Sequence, residues 1–300
     1  MLIGFGGPTA AAEVRPFLDR VLAGRPVPRE RYEEVVRHYE AFGGRSPYNA
    51  MTMRLAAALQ DKLERMGMNA PVITAFRNMP PFFDDALRDL KQRGIHRAFG
   101  FVLAAHRSEA SWDRYLDEIK LARERLGEDV LEVEYPPPWH DDPAFVQAVA
   151  ERAHSALEHL DASAELIFTA HSIPLSMGGR AVYVEQLNES ARLIAQQLGR
   201  SSWTLAFQSR SGSPRDPWLE PDVNYVLRGF AGGQVVLVPL GFLCDHVEVL
   251  YDLDIEAAKV AREAGVTMVR AATVGEHPKF IEMIAKIAGQ YMAPVSSRII

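Results

Sequence analysis

The sequence places its most distinctive chemistry-bearing side chains where a strand-like run meets a helical pattern. The apolar run Val235 to Phe242 leads directly into Asp245-His-Val-Glu-Val-Leu-Tyr-Asp-Leu-Asp-Ile-Glu256, which carries Glu248, Asp252 and Glu256. At about 100° per residue, helical steps of four drift by only about 40°, so the three carboxylates line one stripe. Like charges four apart repel, and a cation or a shared proton offsets that repulsion. A solvated helix face is the plain alternative. Against it, Glu248 stands in the first turn beside Val247, Val249 and Leu250, and the stripe begins at a strand's carboxyl end. A second group, His171 in Thr169-Ala-His-Ser-Ile-Pro174, ends another strand, and Pro174 blocks continuation as a helix. A neutral imidazole with a carboxylate suits a divalent first-row metal such as Fe2+ and moves protons near neutral pH. The chain has no H-E-x-x-H and no closed histidine cluster, so a resident catalytic zinc is not indicated.

These groups need elements to position them. Short β-branched, apolar runs recur at Leu2–Gly6, Val72–Phe76, Ala98–Ala104, Val130–Tyr135, Glu165–Ala170, Thr204–Gln208, Val235–Phe242 and Val266–Val274. Helical patterns lie between most of them, including Ala10–Leu22, Pro81–Arg93, Pro143–Leu160, Ala181–Leu198, Glu220–Phe230, Val247–Ala264 and Pro278–Tyr291. Alternating strand and helix predicts parallel sheets covered on both faces. Tyr135-Pro-Pro-Pro-Trp139 interrupts the pattern and divides the strands four and four. The expected fold is therefore α/β, with two Rossmann-like, doubly wound lobes, each with a four-stranded parallel sheet. The first would comprise residues 1–136 plus 276–300, the last helix folding back onto it, and the second residues 137–275. In open parallel sheets, ligands bind beyond the carboxyl ends of the strands. Those ends carry Phe5-Gly-Gly-Pro8, Arg77, His106-Arg-Ser108, His171-Ser172, Gln208-Ser-Arg210 and Asp245-His246. Two lobes presenting such ends to each other would form a cleft.

Composition narrows the function. With 33 basic and 39 acidic side chains, a formal charge of −6 and no long block of one sign, the chain lacks the electrostatic footprint of a nucleic-acid binder. The lone cysteine, Cys244, excludes an intramolecular disulfide and an all-cysteine zinc or iron–sulfur site built by this chain. Any metal must meet nitrogen and oxygen. The apolar runs fall well short of the roughly 20 residues that span a bilayer, and no basic-then-apolar leader precedes the first strand, so a cytoplasmic protein without a transmembrane segment is expected. Gly4-Phe5-Gly6-Gly7 hints at a dinucleotide turn, but the third glycine of that fingerprint would fall at Thr9, and no Gly-Lys-Ser/Thr follows.

In order along the chain, Phe5-Gly-Gly-Pro8, Tyr39-Glu-Ala-Phe-Gly-Gly-Arg-Ser-Pro47, Ala170-His-Ser172, Gln208-Ser-Arg210 with Asp216-Pro-Trp-Leu219, and Asp245-His-Val-Glu-Val-Leu-Tyr-Asp252 resemble the ferrochelatase family. The resemblance implies insertion of Fe2+ into a porphyrin, a late step of haem synthesis. Iron is then a substrate, with no permanent cofactor and no iron–sulfur cluster, and the enzyme is expected to act as a monomer. By position His171 resembles the family's active-site histidine and Glu248 its partner glutamate, with Asp252 and Glu256 on an outer carboxylate row. Tyr39, Ser46 and Tyr115 fall where bacterial members contact the porphyrin or its carboxylates. Phe5 stands where members acting on coproporphyrin in many Gram-positive bacteria carry a tyrosine, and phenylalanine has no oxygen to offer iron. The basic pair expected in the first-helix region is replaced by Leu22 and Ala23, leaving Arg25 nearby. Both departures favour protoporphyrin IX over coproporphyrin III. If the four-carboxylate ring is the substrate, Arg77 or Arg107 would have to hold its propionates.

Two other readings remain in view. One is a haem- or metal-binding carrier on the same bilobal fold, which needs the cleft but not the carboxylate row. The other is a cobalt or nickel chelatase of the sirohydrochlorin type.

Overall fold

The computed structural model describes residues 1–127, 131–210 and 216–292. The chain divides into two compact units, one of Met1–Leu103, Trp112–Pro137 and the residues from Phe280 onward, the other of Ala104–Ser111 and Pro138–Lys279. Residues 104–111, counted with the first lobe on sequence, thus pack with the second.

In the first unit, β1 (Leu2–Gly4) lies between β2 (Thr74–Phe76) and β4 (Phe101–Val102), all parallel. A second pair joins β3 (Arg97–Phe99) to β5 (Glu132–Glu134), also parallel. The strand expected over Ala98–Ala104 is therefore broken at Gly100, its first half pairing with β5 and its second with β1. Crowding there admits only glycine: a Cβ at residue 100 would stand 2.8 Å from the Tyr135 ring and 2.9 Å from Ile3 Cδ1. The Gly100 amide still donates to the Glu134 carbonyl at 2.7 Å. Among the described residues five strands serve this unit, in ladders of three and two, where the sequence reading expected one four-stranded sheet. Of the run expected from Val130, that first residue lies outside the described residues.

The second unit holds a four-stranded parallel sheet in the order β7 (Thr204–Gln208), β6 (Glu165–His171), β8 (Gln234–Val238), β9 (Thr267–Arg270). Its central strands are covered on both faces, which is why they read as unbroken apolar runs. The register brings Arg270, Leu237, Ile167 and Thr204 onto one rung, Thr169 beside Ala206, and His171 beside Gln208. Paired residues share a face, and so do residues two apart. On this face Ile167, Ala206, Val235 and Leu237 pack with Val249, Leu253, Ala257 and Ala261 of the helical segment from Val247 to Glu263, and with Val223 and Leu227. The same face becomes polar toward its carboxyl end, at Thr169, His171 and Gln208.

Two helices of this unit start by ordinary capping chemistry. Asp142 accepts from the Ala144 amide at 2.8 Å with Pro143 in the first turn, and Asp222 accepts from Asn224 at 2.9 Å. The latter cap, after Pro221, delays the helix expected from Glu220 to Val223–Arg228. No helix among the described residues is long and apolar enough to cross a membrane.

Candidate active site

The carboxylate-bearing helix is not uniform. It begins as α-helix at Val247–Val249, widens to a π-helix over Leu250–Ala257, and returns to α-helix at Ala258–Glu263. Bonds from i to i+5 require more residues per turn, so a step of four falls just short of a full turn instead of passing it. The row survives this change. Val249, Leu253 and Ala257, also four apart, are all fully buried, and Glu248, Asp252 and Glu256 each precede one of them. Carboxylates and core residues thus run as adjacent stripes. Glu248 and Glu256 are exposed and Asp252 is half-buried.

His171 closes β6 on the face that this helix covers. Its Nδ1 lies 2.5 Å from the Ser172 carbonyl oxygen. A carbonyl only accepts, so Nδ1 carries a proton, and in the neutral ring Nε2 then keeps the lone pair for a proton or a metal. The strand end is held in turn: the Ser172 amide donates to the Gln208 carbonyl at 2.7 Å, its hydroxyl to the Leu219 carbonyl at 2.9 Å, and the Tyr183 hydroxyl to the His171 carbonyl at 3.1 Å. Thr169 and Gln208, on the same face, are buried with their side-chain polar atoms unbonded to protein.

His246, at the entry to the helix, links the two groups electrostatically. Burial lowers its pKa, the Glu248 carboxylate opposes that, and His171 reinforces it. Its ring meets the edge of Phe242 at 4.8 Å. The approach of this loop to β6 depends on Gly241, whose amide donates to the Thr169 carbonyl at 2.9 Å; a Cβ there would fall 2.7 Å from Ala170 Cβ.

Two anchors grip the carboxylate segment from neighbouring strand ends. The Ser209 hydroxyl, just past β7, donates to Asp252 Oδ2 through a short bond, and Ser209 adopts a left-handed φ of 63°, uncommon for a residue with a side chain. From the end of β9, Arg270 bonds both Asp245 and Asp254. Sequence reasoning did not single out Arg270, because it ran the last strand on to Val274; ending at Arg270, the strand presents it by the same rule that flagged Arg77. Among the described residues, no group of three or more His, Cys, Asp or Glu side chains is gathered closely enough to hold a metal ion.

Of the other residues singled out on sequence, Arg107 lies in the second unit, whereas Phe5, Tyr39, Ser46, Tyr115, Arg77 and Arg25 lie in the first. Phe5 meets Phe17 edge-to-face at 6.0 Å, and Phe17 meets the buried Tyr39 at 5.8 Å. Ser46 is buried, its amide donating to the Pro8 carbonyl at 2.7 Å. Tyr115 is interior, packed against Phe83 at 6.4 Å, and burial raises its phenol pKa. Arg77 pairs with Glu118 at 2.9 Å, the arginine side chain only 12% exposed. Arg25 is exposed and donates to the Leu22 and Val21 carbonyls at 3.1 and 3.2 Å, capping the helix Val14–Leu22. With Asp19, Arg29 and Tyr32 it lines an open groove of about 430 Å³.

With this geometry in place, known proteins provide a comparison. A ferrochelatase from Rhodopirellula baltica is 40% identical over 305 aligned residues, covering 99% of this chain and 87% of that one. Proteins named coproporphyrin III ferrochelatase are 43% identical in Propionibacterium freudenreichii (96% of this chain, 85% of that one) and 39% in Mycolicibacterium smegmatis (97% and 89%). Among solved structures, SirB from Bacillus subtilis with Fe3+ superposes with a TM-score of 0.60 at 14% identity, over 80% of this chain and 89% of that one. CbiX, the terminal enzyme of sirohaem biosynthesis in denitrifying bacteria, gives 0.55 at 17% identity, over 95% of each. These distant likenesses establish the chelatase fold. Residues 1–292 match the Ferrochelatase family, and the chain belongs to it.

Proposed function

We propose that the chain inserts Fe2+ into a porphyrin in haem synthesis, and that His171 and Glu248 carry the reaction. The ring loses two pyrrole protons and gains the metal, so the site needs a proton acceptor and a group that meets a hydrated cation. The observation that carries this reading is the 2.5 Å approach of His171 Nδ1 to the Ser172 carbonyl oxygen, which in the neutral ring leaves the lone pair on Nε2. Glu248 is exposed and available to the incoming metal or to a proton. Asp252, held by Ser209, and Glu256 extend the negative row along which a cation is drawn.

For the ring, the relatives' names support coproporphyrin III, since they belong to chains 39–43% identical over nearly all of this one. Phe5 and the Leu22–Ala23 pair are single-site departures that favour protoporphyrin IX. The broader similarity weighs more, and coproporphyrin III is the proposed substrate. The proposal extends to a cytoplasmic monomer without an iron–sulfur cluster; the lone Cys244, buried, supports the last point.

The experiment is anaerobic mixing of protein, porphyrin and Fe2+, followed by absorbance. Metalloporphyrin formed well beyond one equivalent per chain supports the enzyme; conversion that stops at one equivalent identifies a carrier and overturns it.

A further inference from the structure

We infer that Arg270 is a positioning residue for the Glu248–Asp252 pair, a role that rests on the reading in which Glu248 takes part in metal insertion. The guanidinium sits at the carboxyl end of β9, on the sheet face that the carboxylate helix covers, and its side chain is 14% exposed. Nε and Nη2 reach the two oxygens of Asp254 at 2.5 and 2.9 Å, a two-point fork. Nη1 reaches Asp245 Oδ1 at 3.1 Å. Asp245 lies three residues before Glu248, and Asp254 lies two after Asp252. One cation therefore ties down both ends of the segment that presents the two acidic groups.

Chemistry explains why a guanidinium does this. Its planar donors satisfy two carboxylates at fixed angles, whereas an ammonium is a point charge on a flexible stem. Burial disfavours the charge, but the two aspartates more than offset it and hold the Arg270 pKa above its ordinary value. Asp254 also falls inside the π-helical stretch, where the wider turn departs from regular α-helix. Arg270 holds that turn from the end of β9, while Ser209 holds Asp252 from the end of β7, at the opposite edge of the sheet. Glu248 itself then stands on a braced frame with its carboxylate facing solvent.

The test compares wild type with Glu248→Gln, Arg270→Met, Arg270→Lys and Asp254→Asn, measuring kcat, KM for porphyrin and for Zn2+ as the metal probe, and melting temperature. Arg270→Met and Arg270→Lys should both lose about ten- to a hundredfold in kcat with porphyrin KM little changed, because misplacement of about 1 Å costs rate before it costs binding. Failure of lysine to rescue marks geometry as the cause. Asp254→Asn, at a more exposed position, should lower kcat in the same direction by a smaller factor. Wild-type kcat in folded Arg270→Lys or Arg270→Met overturns the inference, even if the melting temperature drops. If both arginine variants fail to fold, Asp254→Asn decides: reduced kcat supports the role and unchanged kcat overturns it. Normal turnover by Glu248→Gln would instead overturn the underlying reading of Glu248.

Discussion

The Nδ1 atom of His171 lies 2.5 Å from the carbonyl oxygen of Ser172, one residue along, so the backbone itself sets the tautomer of the imidazole. Ring-orienting partners of functional histidines are carboxylates, backbone carbonyls or water. Here the orientation is built into the strand end, which is held to Gln208 and Leu219. His171→Ala should therefore lower the rate of iron insertion by at least about a hundredfold, the usual contribution of a positioned acid–base group. Porphyrin affinity, followed by fluorescence quenching, should change little. Near-normal turnover would remove His171 from the reaction.

Glu248→Gln keeps the size and hydrogen-bonding capacity of the side chain and removes its charge. Because Glu248 is exposed beside a fully buried Val249, the change should leave folding intact. Insertion should fall by about a hundredfold or more, whereas the isosteric Glu256→Gln, two steps along the row, should cost less. Equal effects at the two positions would mean that the row acts only as a diffuse negative field.

The sequence made the strand ends legible because parallel sheets deliver side chains there, and it made the carboxylate row legible because a four-residue spacing keeps one face in either helix type. What it did not carry was long-range pairing. That His171 shares a rung with Gln208, and a face with Arg270, follows from strand register, which local patterns do not encode. The extra β-branched and alanine residues after Arg270 disguised the end of β9. Gly100 falls inside a run that reads on sequence as one strand; only the ring of Tyr135 and the tip of Ile3 show why that position carries no side chain. Tyr115 and Ser46 stand as ligand contacts only through the resemblance, and local patterns give no sign that both side chains are buried.

Substrate preference is decided by kcat/KM on coproporphyrin III and protoporphyrin IX under one set of conditions. The proposed substrate should be favoured by about tenfold or more, the discrimination expected when a site built for carboxylates meets a ring that lacks two of them. Arg25, exposed in a groove with Arg29, is the cation to replace first: Arg25→Ala should reduce the preference if this groove holds a propionate. A preference for protoporphyrin IX would restore the reading that Phe5 and Leu22–Ala23 suggest.

His106 is a strand-end histidine whose role is structural. It is 3% exposed, and its Nε2 lies 3.0 Å from the Ser190 hydroxyl, which itself donates to the His140 carbonyl at 2.7 Å. The hydroxyl proton is thus committed, and Nε2–H is the donor. Burial first, and the nearby His140 second, lower the His106 pKa to about 3. The unfolded chain, with a histidine pKa near 6.5, binds more protons between those values, so stability rises with pH across that window and falls as pH drops below about 6.5. From pH 7 to pH 5 this one group should destabilise the fold by up to about 2 kcal/mol. Urea unfolding at the two pH values measures it. His106→Asn, which can still donate to Ser190, should be less stable at pH 7 but show a flatter pH dependence; an unchanged slope would assign the acid sensitivity elsewhere.

Gly241 offers a test that separates loop placement from chemistry. The Pro239–Asp245 loop lies on β6 through the Gly241 amide and the Thr169 carbonyl, two residues before His171. A methyl at position 241 would meet Ala170 Cβ at 2.7 Å and Ala170 Cα at 2.8 Å, both fixed to the central strand, so neither can swing aside. Either the loop lifts or the strand shifts. Overpacking of this kind costs about 1–3 kcal/mol, and Gly241→Ala should lower the melting temperature accordingly. Because the loop leads straight into His246 and Glu248, a lifted loop also moves the carboxylate away from the end of β6, and kcat should drop more than stability alone accounts for at temperatures where the variant is fully folded. A variant that is destabilised but turns over normally would show that the helix takes its position from Arg270 and Ser209, independently of the loop that enters it.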